Sequence, residues 1–214
     1  MIIYLDEYIA VCQKSAGLLC EGEGKDCLPH LLKLELEARG EKNTNIFTVH
    51  RLDRETEGIV VYARASTAAA DLSAQISAGE WDKIYLAWLW GVPENESGEL
   101  NDLLYYDRNR SKSFVVDRER RGVKSATLRY ETLRRSADGK KTLVRVKLLT
   151  GRTHQIRVQF ASRSLPLCGD RRYGAPAESG SSLTLAAIEL TFKHPKTHKI
   201  MNFKIDSELI NQIN

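Results

Sequence analysis

The residues best suited to chemistry lie in one short polar segment, His50-Arg51-Leu52-Asp53-Arg54-Glu55-Thr56-Glu57-Gly58. It places three carboxylates, two arginines and a histidine between the apolar segments 46–49 and 59–63. β-Branched residues on both sides predict strands, which would fix both ends of the loop. A carboxylate held in this way can serve as a nucleophile. Asp53 is therefore the first candidate for the reacting group.

Hydrophobic spacing predicts the elements that position this loop. Short strands at 2–5 and 8–12 precede a helix in which leucines recur at helical spacing and which Gly40 terminates. A second helix is predicted to end at Gly79, and the apolar segment 84–90 reads as a buried strand. Asp26 and Ser66 are the predicted N-terminal caps of the two helices.

The second half of the chain predicts mainly antiparallel strands. Apolar and polar residues alternate in segments 127–133 and 142–148, which lie on either side of the hairpin signal Asp138-Gly139. Strands at 183–192 and 200–205 flank a turn at 194–198. Thr153 is the predicted cap of a short helix carrying Arg157, whereas the polar segment 91–121 predicts long loops and edge hairpins. The fold class that follows is α+β, with a mixed, mostly antiparallel central sheet and flanking helices in a single domain over 1–214.

Overall charge favours a polyanionic partner. The chain carries 32 Lys and Arg against 28 Asp and Glu, with a net charge of +4 and a sequence pI of about 8.8. If the basic residues cluster, they can bind nucleic acid. The four cysteines show no CxxC spacing, and the N-terminus lacks the features of a signal peptide. No apolar run is long enough to span a bilayer, so we expect a cytoplasmic protein that contacts no membrane. We also expect a monomer.

Two longer motifs stand out, HRLDRETEG at 50–58 and GRTHQIRVQFASRSLPLCGDRRYG at 151–174. Together they resemble the RluA-type family of RNA pseudouridine synthases. The resemblance extends over nearly the full length, through DKIYLA at 82–87 and KHP at 193–195. It implies isomerisation of uridine to pseudouridine in ribosomal or transfer RNA, without cofactor or metal. The form resembled is the one without the additional RNA-binding domain that precedes many relatives.

The resemblance also implies roles for individual residues. Asp53 matches the catalytic aspartate, which attacks either C6 of the uracil or C1′ of its ribose. Arg157 matches the arginine that pairs with this carboxylate and keeps it ionised. Tyr85 matches the tyrosine that packs on the target base, near the proton that leaves C5. Arg51 matches the residue that enters the space vacated by the extruded nucleotide.

Contacts with RNA phosphates are expected from basic residues around these motifs and within 108–121. The predicted RNA-binding residues are Arg51, Arg54, Arg110, Arg152, His154, Arg171 and Arg172. His154 has a second interpretation, which is to orient its own loop. The family usually has other residues at four positions of this sequence, which are Ser15, Glu57, Gln159 and Ala187. These departures leave the substrate subclass open.

Three other functions are compatible with parts of the sequence. A kinase-like catalytic loop fails because Leu52 interrupts the motif and neither DFG nor a Gly-rich loop is present. A retaining glycosidase would need a second carboxylate about 5 Å from Asp53 and has no need of a basic cleft. A non-catalytic RNA-binding module that keeps the fold remains the alternative, and it predicts binding without turnover.

Several conspicuous residues are interpreted as structural. His50 is expected to hydrogen-bond its own loop rather than act as a general base. His194 and His198 are spaced like zinc ligands, but without paired cysteines a turn is favoured. The three tryptophans are expected to pack in the core.

Overall fold

The computed structural model describes residues 1–206, which form two compact units. One unit comprises Met1–Asp82 with Ala187–Asp206, and the other comprises Lys83–Ala186. These described residues contain three α-helices and eleven strands, which confirms the predicted α+β class. The single-domain interpretation stays a prediction.

The first unit is built on short strands, which are β1 (Ile2–Leu5), β2 (Ile9–Lys14), β3 (Phe47–Thr48), β4 (Glu57–Ala63), β10 (Leu185–Lys193) and β11 (Ile200–Lys204). They pair in the order β1-β2-β4-β10, with β3 paired to β4 and β11 paired to β10. The pairs β1–β2, β2–β4, β3–β4 and β10–β11 are antiparallel. The predicted C-terminal hairpin around 194–198 is thereby confirmed.

Two helices complete this unit, α1 (Leu28–Ala38) and α2 (Ser66–Ser77). Both end as predicted, because Gly40 and Gly79 adopt the positive φ values of +75° and +72° that favour glycine. The predicted caps are wrong. The N-cap positions are Cys27 and Ala65, and neither makes a side-chain cap hydrogen bond.

The core of the first unit follows from alternation along its strands. On β2 and β4, every second residue faces the same side, which brings apolar side chains from both strands onto α2. Trp81 packs there with Phe192 at a ring separation of 5.1 Å. The buried cluster consists of Ile9, Val11, Ile59, Val61, Ala63, Ala68, Leu72, Trp81, Leu190 and Phe192.

A hydrogen-bonded carboxylate ties the C-terminal hairpin to the β1–β2 turn. Asp6 lies 2.8 Å from Nε2 of His194 and accepts the N–H groups of Tyr8 and Ile9 at 2.8 Å. Burial acts to raise the pKa of Asp6, but these hydrogen bonds outweigh it and lower the pKa below its ordinary value. Nδ1 of His194 accepts the N–H of Thr197 at 3.1 Å, so the predicted structural role of this histidine in the turn is confirmed.

The second unit contains the strands β5 (Asp82–Trp90), β6 (Ser97–Asp107), β7 (Lys112–Val116), β8 (Val123–Arg135) and β9 (Lys141–Leu148). They form an antiparallel sheet in the order β5-β9-β8-β6-β7. The buried strand, the β8–β9 hairpin and an edge hairpin of β6 with β7 are confirmed. The long loops predicted for 91–121 are wrong in part, because β6 pairs with β8 along nearly its whole length.

The short helix α3 (Gln155–Ala161) carries Arg157, as predicted. Thr153 is not its cap, because the N-cap is His154, which has a positive φ of +55°. Two of the tryptophans, Trp81 and Trp88, are buried as expected, and Trp90 is half-buried. Within residues 1–206, no helix is both long and apolar enough to cross a membrane.

Candidate active site

The loop that carries Asp53 connects β3 to β4 in the first unit. The strands predicted on both sides are confirmed, although β3 is only two residues long. Asp53 is half-buried, and its carbonyl oxygen accepts the N–H of Thr56 at 3.1 Å, which closes a turn. At the loop's end, Gly58 has φ +129°, and a Cβ there would lie 2.3 Å from the carbonyl oxygen of Ala187. Only glycine permits this approach.

The backbone on the C-terminal side of Asp53 is held by the segment that follows β2. The carbonyl oxygen of Arg54 accepts the N–H of Gly17 at 2.8 Å and Nζ of Lys14 at 2.9 Å. Lys14 is fully buried, and burial lowers its pKa. Its ammonium group also donates to the carbonyl oxygen of Leu18 at 2.8 Å, so this lysine ties two loops together.

The backbone on the N-terminal side of Asp53 is held by a thiol. Sγ of Cys20 accepts the N–H of Leu52 at 3.3 Å and donates to the carbonyl oxygen of Leu52 at 3.5 Å. Burial raises the pKa of Cys20, which keeps the sulfur protonated and able to donate. The carbonyl oxygen of Cys20 accepts the hydroxyl of Tyr62 at 3.1 Å. Sequence patterns offered no signal for Cys20 or for Lys14.

His50 has the structural role expected of it. Its Nε2 accepts the N–H of Val61 at 2.9 Å, so the ring is fastened to β4. The ring also packs edge-on against Trp81, with centroids 5.0 Å apart. These contacts fix the start of the loop that carries Asp53.

The two arginines beside Asp53 form exposed ion pairs with the same segment that clamps the loop. Arg51 lies 3.2 Å from Glu21 and Arg54 lies 3.5 Å from Asp26. Each arginine side chain is more than half exposed, at 57% and 55%. Exposed pairs contribute about 0 to 1 kcal/mol, so neither ion pair is a large part of what stabilises the loop.

In the second unit, Arg157 is buried and bound to a carboxylate that was not predicted as a site residue. Its Nε donates to Oδ2 of Asp170 at 2.7 Å and its Nη2 donates to Oδ1 at 2.8 Å. The predicted pairing of Arg157 with Asp53 stays a prediction. Asp170 sits in the GDRRYG stretch of the second motif, which was interpreted only as a turn-rich loop.

His154 and Tyr173 form a network next to Arg157. The hydroxyl of Tyr173 accepts the N–H of Ser113 at 2.8 Å and lies 2.9 Å from Nδ1 of His154. Burial raises the pKa of Tyr173 to about 12, so the hydroxyl keeps a proton that it can donate to Nδ1. This contact supports the interpretation that His154 orients its loop, and the RNA contact predicted for it stays a prediction.

The remaining catalytic candidate, Tyr85, lies on β5, opposite Val146 of β9. It is 7% exposed, so the side chain is buried, and the role predicted for it stays a prediction.

Part of the predicted basic surface is assembled at the β6–β7 turn. Nζ of Lys112 donates to the carbonyl oxygen of Arg172 at 2.6 Å, and Arg172 in turn donates to the carbonyl oxygen of Ser111. Arg110 lies in the same turn, 73% exposed, and Arg171 adjoins Arg172. Lys112 is one of the basic residues of 108–121 from which phosphate contacts are expected. We use the name basic turn for this set of four residues, Arg110, Lys112, Arg171 and Arg172.

Arg152 is placed apart from these contacts. Its Nε donates to the carbonyl oxygen of Ser125 on β8 at 2.9 Å.

Residues 1–206 contain no group of three or more His, Cys, Asp or Glu side chains able to hold a metal ion.

Comparison with solved structures shows a pseudouridylate synthase fold. The structure named human RNA pseudouridylate synthase domain containing 4 matches with a TM-score of 0.77, covering 96% of this chain and 87% of that one at 23% identity. The structure named human RNA pseudouridylate synthase domain containing 1 matches with a TM-score of 0.74, covering 97% of this chain and 83% of that one at 20% identity.

Sequence comparison identifies the family. The RNA pseudouridylate synthase family model matches residues 8–162. An uncharacterized RNA pseudouridine synthase of Aquifex aeolicus is 34% identical, over 96% of this chain and 68% of its own length. The dual-specificity RNA pseudouridine synthases RluA of Haemophilus influenzae and Escherichia coli are 33% and 32% identical, each over 97% of this chain and 93% of their own length. The chain therefore belongs to the RNA pseudouridylate synthase family and is an isomerase.

Proposed function

We propose that this enzyme isomerises uridine to pseudouridine in ribosomal or transfer RNA, with Asp53 as the nucleophile. In this reaction the bond between C1′ and N1 of the uridine breaks and a bond between C1′ and C5 forms. C5 loses a proton and N1 gains one, so no redox partner is required. The carboxylate of Asp53 attacks either C6 of the uracil or C1′ of the ribose, which releases the base for re-attachment.

The observation that carries this proposal is the fixation of the Asp53 loop from both sides. Leu52 is held through the thiol of Cys20, and the carbonyl oxygen of Arg54 is held by Gly17 and Lys14. Asp53 itself remains half-buried. A nucleophile gains most when its backbone is immobile before the substrate arrives, because the ordering cost is then met by folding.

Arg157 and Tyr85 are proposed as the other catalytic residues, in the roles that family resemblance implies. Arg157 has the role of the arginine that, in the family resembled, pairs with the catalytic carboxylate. Tyr85 packs on the target base, near the proton that leaves C5. Both side chains are buried, and this limits their motion during the reaction.

RNA is proposed to bind through phosphate contacts of the basic turn, with Arg54, Arg152 and His154 as further contacts. Arg51 fills the space that the extruded uridine leaves. The relatives in Haemophilus influenzae and Escherichia coli are named as dual-specificity enzymes, which favours more than one RNA substrate.

We further propose a monomer that acts in the cytoplasm. The four cysteines are free and buried, as is usual where thiols stay reduced.

Mapping pseudouridines in cells tests this function directly. The chain is expressed in cells that lack it, and pseudouridines are mapped by carbodiimide-dependent primer stops across ribosomal and transfer RNA. The wild-type chain should restore at least one position, and Asp53→Asn should restore none while still binding RNA, because an amide is a far poorer nucleophile. RNA binding by the wild type without any restored position would favour the alternative, a non-catalytic RNA-binding module.

A further inference from the structure

The buried carboxylate of Asp170 binds the guanidinium group of Arg157 through both oxygens. The two bonds measure 2.7 Å to Nε and 2.8 Å to Nη2, and the side chains of Arg157 and Asp170 are only 5% and 1% exposed. A bidentate pair fixes the plane of the guanidinium as well as its position. Arg157 is therefore held as a rigid group.

The backbone around Asp170 gives this carboxylate little freedom. Its N–H donates to the carbonyl oxygen of Leu167 at 3.0 Å, and its carbonyl oxygen accepts the N–H of Tyr173 at 3.1 Å. The preceding residue, Gly169, has φ +76°, and a Cβ there would lie 1.9 Å from the carbonyl oxygen of Ser182. The chain path that delivers Asp170 thus depends on glycine.

The ring of Tyr173 restrains the same guanidinium a second time. Cζ of Arg157 lies 5.1 Å from the centre of this ring, which is within the range of a cation–π contact. The ring is itself fixed, because its hydroxyl accepts the N–H of Ser113 at 2.8 Å. Two independent contacts therefore define where Arg157 sits.

The pair fixes which edge of the Arg157 guanidinium faces Asp170. Nε and Nη2 both donate to this carboxylate. Without Asp170 the guanidinium could rotate and present any of its edges. The pair thus selects one orientation of the guanidinium.

We propose that Asp170 is a positioning residue of the pseudouridine synthase reaction, which fixes the orientation of the Arg157 guanidinium. This rests on the proposed function, in which Arg157 is one of the catalytic residues. A purely structural role for Asp170 makes a different prediction. If Asp170 only neutralised a buried charge, any loss of activity would follow the loss of folded protein, and fully folded variants would react at the normal rate.

The decisive variant is Asp170→Glu, which keeps the negative charge but lengthens the side chain by one methylene and so displaces the guanidinium. The substrate is total RNA labelled with 5-tritiated uridine, prepared from cells lacking the enzyme, and tritium release is followed with enzyme in excess. Each protein is assayed at a temperature at which circular dichroism shows it fully folded. The single-turnover rate should fall on the order of 10- to 100-fold, as expected for a misplaced catalytic group, while the enzyme concentration for half-maximal rate changes less than about threefold.

The matched control is Asp102→Glu, the same change in another carboxylate–arginine pair of this unit. Asp102 lies 2.9 Å from Arg163, just beyond the end of α3, and this variant should keep the wild-type rate. If Asp170→Glu does not fold, Asp170→Asn is judged by the same criterion. A folded Asp170 variant whose rate stays within about threefold of wild type would overturn the positioning role alone. A wild-type chain that releases no tritium would overturn the proposed function as well.

Discussion

Replacing Cys20 by alanine tests whether the thiol that holds Leu52 also holds the catalytic loop. The substitution leaves the N–H and C=O groups of Leu52 without their thiol partner, and Leu52 is only 8% exposed. An unsatisfied buried polar group costs about 1 to 3 kcal/mol. Because the bonds to sulfur are long, at 3.3 and 3.5 Å, we take the lower end, about 1 kcal/mol for each group.

The expected loss in unfolding free energy for Cys20→Ala is therefore about 2 kcal/mol. For a chain of this size, each kcal/mol lowers Tm by about 2 to 4 °C, so thermal melts should show a fall of roughly 4 to 8 °C. Leu52 directly precedes Asp53, and a shift of about 1 Å in a reacting group can cost up to about 100-fold in rate. We expect kcat to fall about 10-fold with little change in KM.

Two further variants separate positioning from stability. Cys20→Ser keeps a group that both donates and accepts, so it should retain most of the rate. Cys12→Ala removes the same sulfur atom from a fully buried position on β2, and it should lower Tm without lowering kcat. If Cys20→Ala and Cys12→Ala lowered kcat equally, or if neither did, the thiol would not position the Asp53 loop.

Three other perturbations have defined outcomes. Arg157→Ala should lower the unfolding free energy by about 3 to 5 kcal/mol, because a buried carboxylate loses its partner, and should abolish turnover; an unchanged melting temperature would contradict this. Because the pKa of Asp6 is lowered on folding, its stabilising contribution is present above the ordinary carboxyl pKa of about 3.8 and is lost as pH falls through the lower folded value. Asp6→Asn should therefore flatten the acid side of the stability–pH curve in denaturant titrations, and a curve of unchanged shape would refute this. Arg110→Ala should flatten the slope of log affinity against log salt by about 0.7 on single-stranded RNA, and an unchanged slope would remove Arg110 from the phosphate contacts.

The sequence by itself determined the features that depend on local spacing. Period-2 alternation around a turn signal located the β8–β9 hairpin, and strand segments on either side of a turn at 194–198 located the C-terminal hairpin. Two sequence motifs indicated the family. The loop around Asp53 was also predictable, because β-branched segments on both sides indicate strands whatever lies elsewhere in the fold. His50 was correctly interpreted as structural for a similar reason, since it lies inside the loop that it fastens.

Features that depend on contacts distant in sequence were decided only by the tertiary structure. The helix caps were predicted from residue type, but capping depends on the φ and ψ of the preceding backbone, and Cys27, Ala65 and His154 take those positions instead. β6 looked like a loop because its pairing with β8, not its own apolar content, makes it a strand.

The same limit applies to the candidate site. Cys20 is 32 residues from the Leu52 that it holds, and Lys14 is 40 residues from Arg54. Asp170 is 13 residues from Arg157, across a turn-rich loop that has no periodicity. A thiol, an ammonium or a carboxylate acquires such a role only when folding buries it beside a polar group that would otherwise be unsatisfied. The sequence determined which residues can react, and the tertiary structure decided which residues hold them in place.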